Sequence, residues 1–372
     1  MHRDEIKKAQ SEVKFALLNS DRETLSCIGQ TGHGFLIKSL RKPAWFQLCG
    51  LTLHTPPARE TALLQGDSYA DKHQVEMDMN RSYFHSKTHP FRLRKQRSRL
   101  SKVFDIIFKT HPALCYYQGL HDIAQVLLLT LSFSHALRLL EHLIFFRLRD
   151  FLLPSLEPTL HQLELMMHII KLRDPELSSE LVKLGVQNYF ALSWLITWFS
   201  HDIEDFGAIC RLFDFFIATH PLTVVYACAQ LVLDNSLELK HMIRNGSGAD
   251  NVYTFLCKLP QQLDVETLIR HTCSLCRTLP FPKLDLDSCS ISKYSCLRTK
   301  GESWELANNS DGPMLFRMHC EDLKASKSIT KDKYNSLLPL DLRVSGRSMV
   351  AAITVIGIGI VASQYVTSQN PS

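Results

Sequence analysis

Residues 187–235 read QNYFALSWLITWFSHDIEDFGAICRLFDFFIATHPLTVVYACAQLVLDN, and this stretch decides the fold class. Its apolar side chains recur at helical spacing rather than in the alternation of a half-buried strand, and its breaks fall at polar or proline positions that start helices. It predicts three successive helices, over Gln187–His201, Phe206–His220 and Pro221–Asn235. The same texture extends outward to Leu100–Thr110, Gly119–Ser132, His135–Leu152 and Val265–Thr278. Residues 3–20 predict an amphipathic first helix with Ile6, Val13, Ala16 and Leu17 on one face. No strand–helix alternation punctuated by turn glycines appears, and 15 glycines in 372 residues fall below common usage. The expected class is all-α.

Composition narrows the function. Hydrophobic residues make up 45% of the chain and charged residues 21%, which supplies a sizeable core and excludes a wholly disordered protein. The 42 basic and 37 acidic residues leave +5, too mild a balance to indicate nucleic acid. Eleven cysteines, an odd number without framework spacing, do not form a small disulfide scaffold and fit a reducing compartment. The start, MHRDEIKK, has charge where a signal peptide has an apolar run.

The other end is different. No charged residue occurs from Ser348 to Ser372, and residues 349–366 read MVAAITVIGIGIVASQYV. That length meets the lower limit for a membrane-spanning helix. Arg343 and Arg347 precede it and no basic residue follows, which predicts a cytosolic N-terminal body and a tail anchor. The alternative is a buried terminal helix. The expected organisation is an N-terminal helix and turn region (1–34), a helical domain (35–282), a flexible polar linker (283–346) and a tail anchor (347–372).

Several motifs invite chemistry and fall short of it. Gly29-Gln-Thr-Gly-His-Gly34 lacks the Lys-Ser/Thr ending of a phosphate loop and reads as a turn. Cys273 and Cys276 form a C-x-x-C without a second close pair, so buried thiols on a helix are the simpler reading than zinc. The basic run RLRKQRSRLSK, from Arg92 to Lys102, lacks interleaved aromatics and reads as a solvated helix face or an acidic-partner surface rather than a nucleic-acid site.

Two other segments are more informative. Asp78 lies three residues before Arg81, so on a helix its carboxylate can orient the guanidinium. Gln118 lies beside Gly119, which gives an amide with close backbone access. An arginine that neutralises charge on a moving phosphoryl group and a glutamine that orients water are what phosphoryl transfer calls for. Spacing alone does not bring the two together, and from the residues alone a salt-bridged surface arginine and a turn glutamine are the simpler reading.

At these residues the chain resembles the TBC-domain GTPase-activating proteins of Rab-type small GTPases, especially their tail-anchored members. Val75-x-x-Asp78-x-x-Arg81 is similar to the family's I-x-x-D-x-x-R arginine-finger motif, and Tyr116-x-Gln118 to its Y-x-Q glutamine-finger motif. Arg41-x-x-x-Trp45 and Arg211-x-x-Asp214 resemble two further family elements. The resemblance covers about 35–282 and implies a two-lobed all-α domain, here with a single C-terminal transmembrane helix. It implies that Arg81 and Gln118 enter the GTPase's nucleotide site in trans. Asp78, Tyr116, Gly119 and Asp122 would support the fingers, with Asp78 holding Arg81, while Arg41, Trp45, Arg211 and Asp214 would be structural. No metal or cofactor of the protein's own is implied; GTP and Mg are the partner's. The implied substrate is a Rab of endoplasmic reticulum to Golgi traffic, met at an endoplasmic reticulum or Golgi membrane. Val75 in place of Ile, Leu120-His121 and the irregular stretch 46–74 depart from the family pattern. The irregular N-terminal lobe motivates a second reading, a catalytically weak scaffold or adaptor that binds Rab GTPases or a membrane-shaping protein.

Overall fold

The computed structural model describes residues 3–53, 69–81, 90–299 and 311–334, leaving aside the side chains at 3, 81, 90–93, 311 and 326–334. Among the described residues all regular structure is helical. The first helices are α1 (Arg3–Leu18), α2 (Arg22–Gln30), α3 (Lys38–Leu48), α4 (Lys72–Arg81), α5 (Pro90–Thr110), α6 (Leu120–Thr130) and α7 (Phe133–Phe146). Then come α8 (Glu157–Arg173), α9 (Pro175–Leu184), the short α10 (Leu192–Thr197), α11 (Phe206–Ala218) and α12 (Thr223–Asp234). The chain continues through α13 (Ser236–Arg244), α14 (Ala249–Lys258), α15 (Val265–Thr278), α16 (Cys296–Thr299) and α17 (Asp311–Tyr334).

The boundaries follow local chemistry. Asp21, Asp174 and Asp205 accept backbone N–H bonds at the starts of α2, α9 and α11, and Asp264 does so for α15. Each such cap is worth about 1 kcal/mol. Helix α11 is buried over every residue from Ile209 to Ala218, as a helix apolar on all faces must be. It packs against α2, α3 and α15, while α12 packs on α8 and α15. Gly29 marks the tightest approach: a Cβ there would lie 2.2 Å from Ala218 Cβ. Through these contacts the early and late helices share one apolar core.

The C-terminal end of α11 is held by a buried cation. Arg147 donates to the carbonyls of Phe216 (2.6 Å), Thr219 (2.6 Å) and Ile217 (2.9 Å), which no intrahelical N–H reaches. Arg147 also explains why the helix expected over His135–Leu152 stops at Phe146. The chain turns there so that the guanidinium points inward, and a short 3₁₀ turn, Arg149–Leu152, follows.

Two expectations are corrected. The single helix predicted over Gln187–His201 is instead a 3₁₀ turn, the short α10, and then two successive left-handed aromatics, Trp198 (φ +54°) and Phe199 (φ +66°). Non-glycine residues in that region cost about 1–3 kcal/mol each and persist where packing over-determines them. Here Trp198 meets Phe213 and Phe216 edge-on at 5.3 and 5.8 Å, and Phe199 stacks on Trp194 and Phe216 at 6.0 and 6.2 Å.

The second correction concerns the linker expected over 283–346. Residues 284–299 lie on the body with Leu284, Ile291, Cys296 and Leu297 buried, and α17 packs on α7 through Gly312 and Phe316, while buried His319 faces Asp150. The anchoring chemistry is polar. Asp150 accepts from Gln162 (2.8 Å), from the Cys296 N–H (3.0 Å) and from the Ser295 hydroxyl, and Arg149 donates to the Tyr294 carbonyl at 2.7 Å. Sparse apolar residues whose polar neighbours are claimed by a carboxylate far away in sequence leave no helical period to read. The expected anchor, 349–366, lies outside the described residues, among which no helix is long and apolar enough to cross a membrane.

Candidate functional site

Helix α4 carries Val75, Asp78 and Met79 on its buried face and ends at Arg81. The Arg81 side chain lies outside the described residues. Asp78 is almost fully buried, and its carboxylate accepts from the Tyr116 hydroxyl at 2.9 Å and from Gln74 at 3.2 Å. The expected tie from Asp78 to Arg81 falls on a side chain outside the described residues; what Asp78 makes among them is a tie between the two candidate finger segments. A second carboxylate supports it: the Tyr116 N–H donates to Asp71 at 2.9 Å. The Tyr116 ring sits edge-on to Phe104 and Phe108 of α5 at 5.7 and 6.0 Å. Burial and the adjacent Asp78 hold the Tyr116 phenol well above its usual pKa, so it keeps its proton and donates.

The segment Leu114–Tyr117 carries no regular secondary structure and leads into a turn at Gln118-Gly119, where α6 begins. Gly119 is left-handed at φ +113°, and a Cβ there would stand 2.8 Å from Thr197 Cγ2. Both conditions demand glycine. Tyr117 donates to the Ile196 carbonyl at 3.0 Å, so the loop rests on the turn that follows α10. Gln118 is half-buried between these anchors, and among the described residues nothing engages its amide. A free amide on a loop fixed at both flanks can reach a substrate from a second molecule.

Asp122, in the first turn of α6, places an acid where the helix dipole favours one. Its Oδ2 lies 3.0 Å from His201 Nδ1 and its Oδ1 3.4 Å from His121 Nε2. His121 Nδ1 in turn lies 3.0 Å from the Tyr116 hydroxyl. Asp78, Tyr116, His121, Asp122 and His201 therefore form one polar chain across the site. Sequence reading identified Asp78, Tyr116 and Asp122 but not the two histidines. Their signal was an HD pair at 121–122 and another at 201–202, and neither points to the other without the fold.

The remaining predicted residues gather elsewhere. Arg41 Nε donates to Asp214 at 3.0 Å, Trp45 Nε1 at 2.8 Å and the Phe35 N–H at 3.1 Å, and Asp214 is fully buried. Arg211 donates to the carbonyls of Gly29 (2.8 Å) and Thr31 (3.1 Å) and pairs with Glu266 (2.8 Å). These four side chains join α2, α3, α11 and α15 and stand apart from Gln118. The carbonyls of the 29–34 turn thus face an arginine rather than a phosphate. Cys273 and Cys276 are part-buried on α15, with burial raising both thiols, the latter to about 12. Cys289 and Cys296 lie on the 284–299 segment. Among the described residues no His, Cys, Asp or Glu group is placed to hold a metal. In the basic run, Arg97 caps α4 at the Asn80 carbonyl (3.1 Å) and Arg99 donates to Leu128 at the end of α6 (3.3 Å), while Arg94, Lys95 and Lys102 are exposed.

Comparison with known proteins is consistent with this geometry. The Rab-GTPase-TBC domain model matches residues 38–240. The GTPase-activating protein gyp10 of Schizosaccharomyces pombe is 53% identical over 366 residues, 98% of each chain. TBC1 domain family member 20 of Homo sapiens is 33% identical over 337 residues, 88% of this chain and 81% of that one. Among solved structures, the Ypt/Rab-GAP domain of Gyp1p superposes with a TM-score of 0.55 at 16% identity, covering 69% of this chain and 93% of that one, which is a likeness of fold.

Proposed function

From the premise that this chain belongs to the Rab-GTPase-TBC domain family and is a Rab GTPase-activating protein, we propose that it works through Arg81 and Gln118, supplied in trans to the GTPase. Arg81 closes α4, and Gln118 caps a loop that Tyr116 ties to the same helix. The observation that carries the reading is the hydrogen bond from Tyr116 to Asp78, which sets one finger segment against the other. In the complex, the Arg81 guanidinium neutralises charge building on the transferring phosphoryl group, and the Gln118 amide holds the attacking water in line. GTP and Mg remain the partner's. The Gln118 loop is already fixed at both flanks, so little reorganisation of that finger accompanies the reaction.

We further propose that 349–366 anchors the protein in an endoplasmic reticulum or Golgi membrane with its body in the cytosol, on a Rab of traffic between them. The uncharged apolar stretch and the arginines before it support this reading.

The test is single-turnover GTP hydrolysis across a panel of Rab proteins. Arg81→Ala is expected to lose about 10³–10⁵ in rate, and Gln118→Ala to lose most of its acceleration, with both proteins folded. Parental rates in either variant overturn the finger assignment. Nucleotide-dependent binding without acceleration by the parent protein supports a scaffold instead.

A further inference from the structure

We propose that His201 is a positioning residue for the Gln118 loop, clamping Asp122 at the start of α6 and so fixing the loop on the turn at 196–201. The proposal deepens the finger reading and rests on it. Three contacts join that turn to the loop. Two are uncharged: the Tyr117 hydroxyl on the Ile196 carbonyl at 3.0 Å, and Gly119 against Thr197. The third is the His201–Asp122 pair at 3.0 Å. All three join segments far apart in sequence, 79 positions for each hydrogen bond, and this one alone carries charge.

The local backbone favours this arrangement. Thr197 and His201 are joined by an N–H bond from His201 to Thr197 Oγ1 at 3.4 Å, and between them lie the two left-handed aromatics Trp198 and Phe199. Their burial sets the direction in which the chain leaves α10, and that direction carries His201 back over the loop. The far side of the clamp is tied as well, since Asp122 continues through His121 and Tyr116 to Asp78 on α4. Releasing His201 frees one end of a chain whose other end holds the arginine-bearing helix.

Among the described residues, the charged groups that act on His201 are acidic. Asp122 of α6 is in contact, Asp202 follows it in the chain, and Asp78 of α4 lies beyond. The hydrogen bond to Asp122 is the largest influence and raises the His201 pKa from 6.5 to about 9. Because the folded value lies above the ordinary one, the ion pair is intact below pH 6.5, persists through neutrality, and is lost as pH rises through about 9. The His201 side chain is 55% exposed, so its removal leaves the core intact.

The test uses the full chain in single-turnover hydrolysis of GTP-loaded Rab, with thermal melting as the folding control. His201→Ala is expected to lower kcat by about 10–100-fold with KM for the GTPase nearly unchanged. His201→Asn keeps a donor at the Nδ1 position. It should restore most of the rate and flatten the fall the parent shows as pH rises through about 9. Combining His201→Ala with Asp122→Asn should cost no more than either alone, and adding His201→Ala to Gln118→Ala should cost nothing further. Parental kcat in His201→Ala overturns the proposal. So does a raised KM with kcat intact, which would make His201 a GTPase contact, or a further loss in the Gln118→Ala background. Parental hydrolysis by Gln118→Ala overturns the finger reading instead, and with it the claim that His201 acts through Gln118.

Discussion

Gly119 sits under two constraints, its left-handed φ of +113° and the 2.8 Å approach of Thr197 to its absent Cβ. Alanine satisfies neither without lifting the loop from its seat. Gly119→Ala is therefore expected to cost about 1–3 kcal/mol of stability and to lower kcat by at least about tenfold. Thermal unfolding and GTP hydrolysis measure the two separately, and an unchanged kcat would mean that Gln118 does not depend on this seat. The glycine's setting could not be read from the sequence, which shows only a glycine after a glutamine. Asp78 and Tyr116 were legible because their spacing matches a family pattern; that they bond each other was not, since nothing in either segment names its partner. His121 and His201 each show only an HD pair, which does not name its partner across the fold. A charged or polar pair that meets across two elements is visible only once the elements have been packed.

At the scale of elements, periodicity served where burial is continuous. The span predicted for α15 is the one observed, and α11 and α12 differ from expectation only at their ends. Periodicity failed where polar side chains do the anchoring, as in residues 284–299 and α17. These elements cover Arg149 and Asp150, both of them buried, and Phe316 lies against Phe145 with ring centroids 6.5 Å apart. A chain ending at Lys283 would leave both charges without their C-terminal partners and Phe145 uncovered. Relative to a chain ending at Tyr334, it is expected to lose about 3–5 kcal/mol or to fail to fold, as read by urea unfolding. Equal midpoints would show that the C-terminal elements add nothing to the domain. This segment also lies beyond the residues that the family model matches, so the stable unit of this protein is larger than the matched domain.

Docking of α17 also changes the geometry of the whole molecule. Read as a flexible linker, 283–346 would let the domain range far from the membrane. With α17 docked on the body through Phe316 and its helix running to Tyr334, residues 335–348 separate its end from the proposed anchor. Fully extended, that stretch spans at most about 50 Å. The domain and a lipid-anchored GTPase would then share a thin layer above the bilayer, where the effective concentration of each for the other is high. Two outcomes follow from that confinement. Deleting 347–372 should release the protein from membranes while leaving its rate on soluble Rab unchanged, as read by flotation and by hydrolysis in solution. Inserting about 40 Gly/Ser residues between Tyr334 and Met349 should leave the protein on the membrane but lower its rate on vesicle-bound Rab several-fold, following the roughly −3/2 power of tether length. A deleted protein that still floats with membranes would sink the anchor. An insertion variant as fast as the parent on vesicles would show that the short tether does not set the encounter, leaving the fingers and their clamp to account for activity alone.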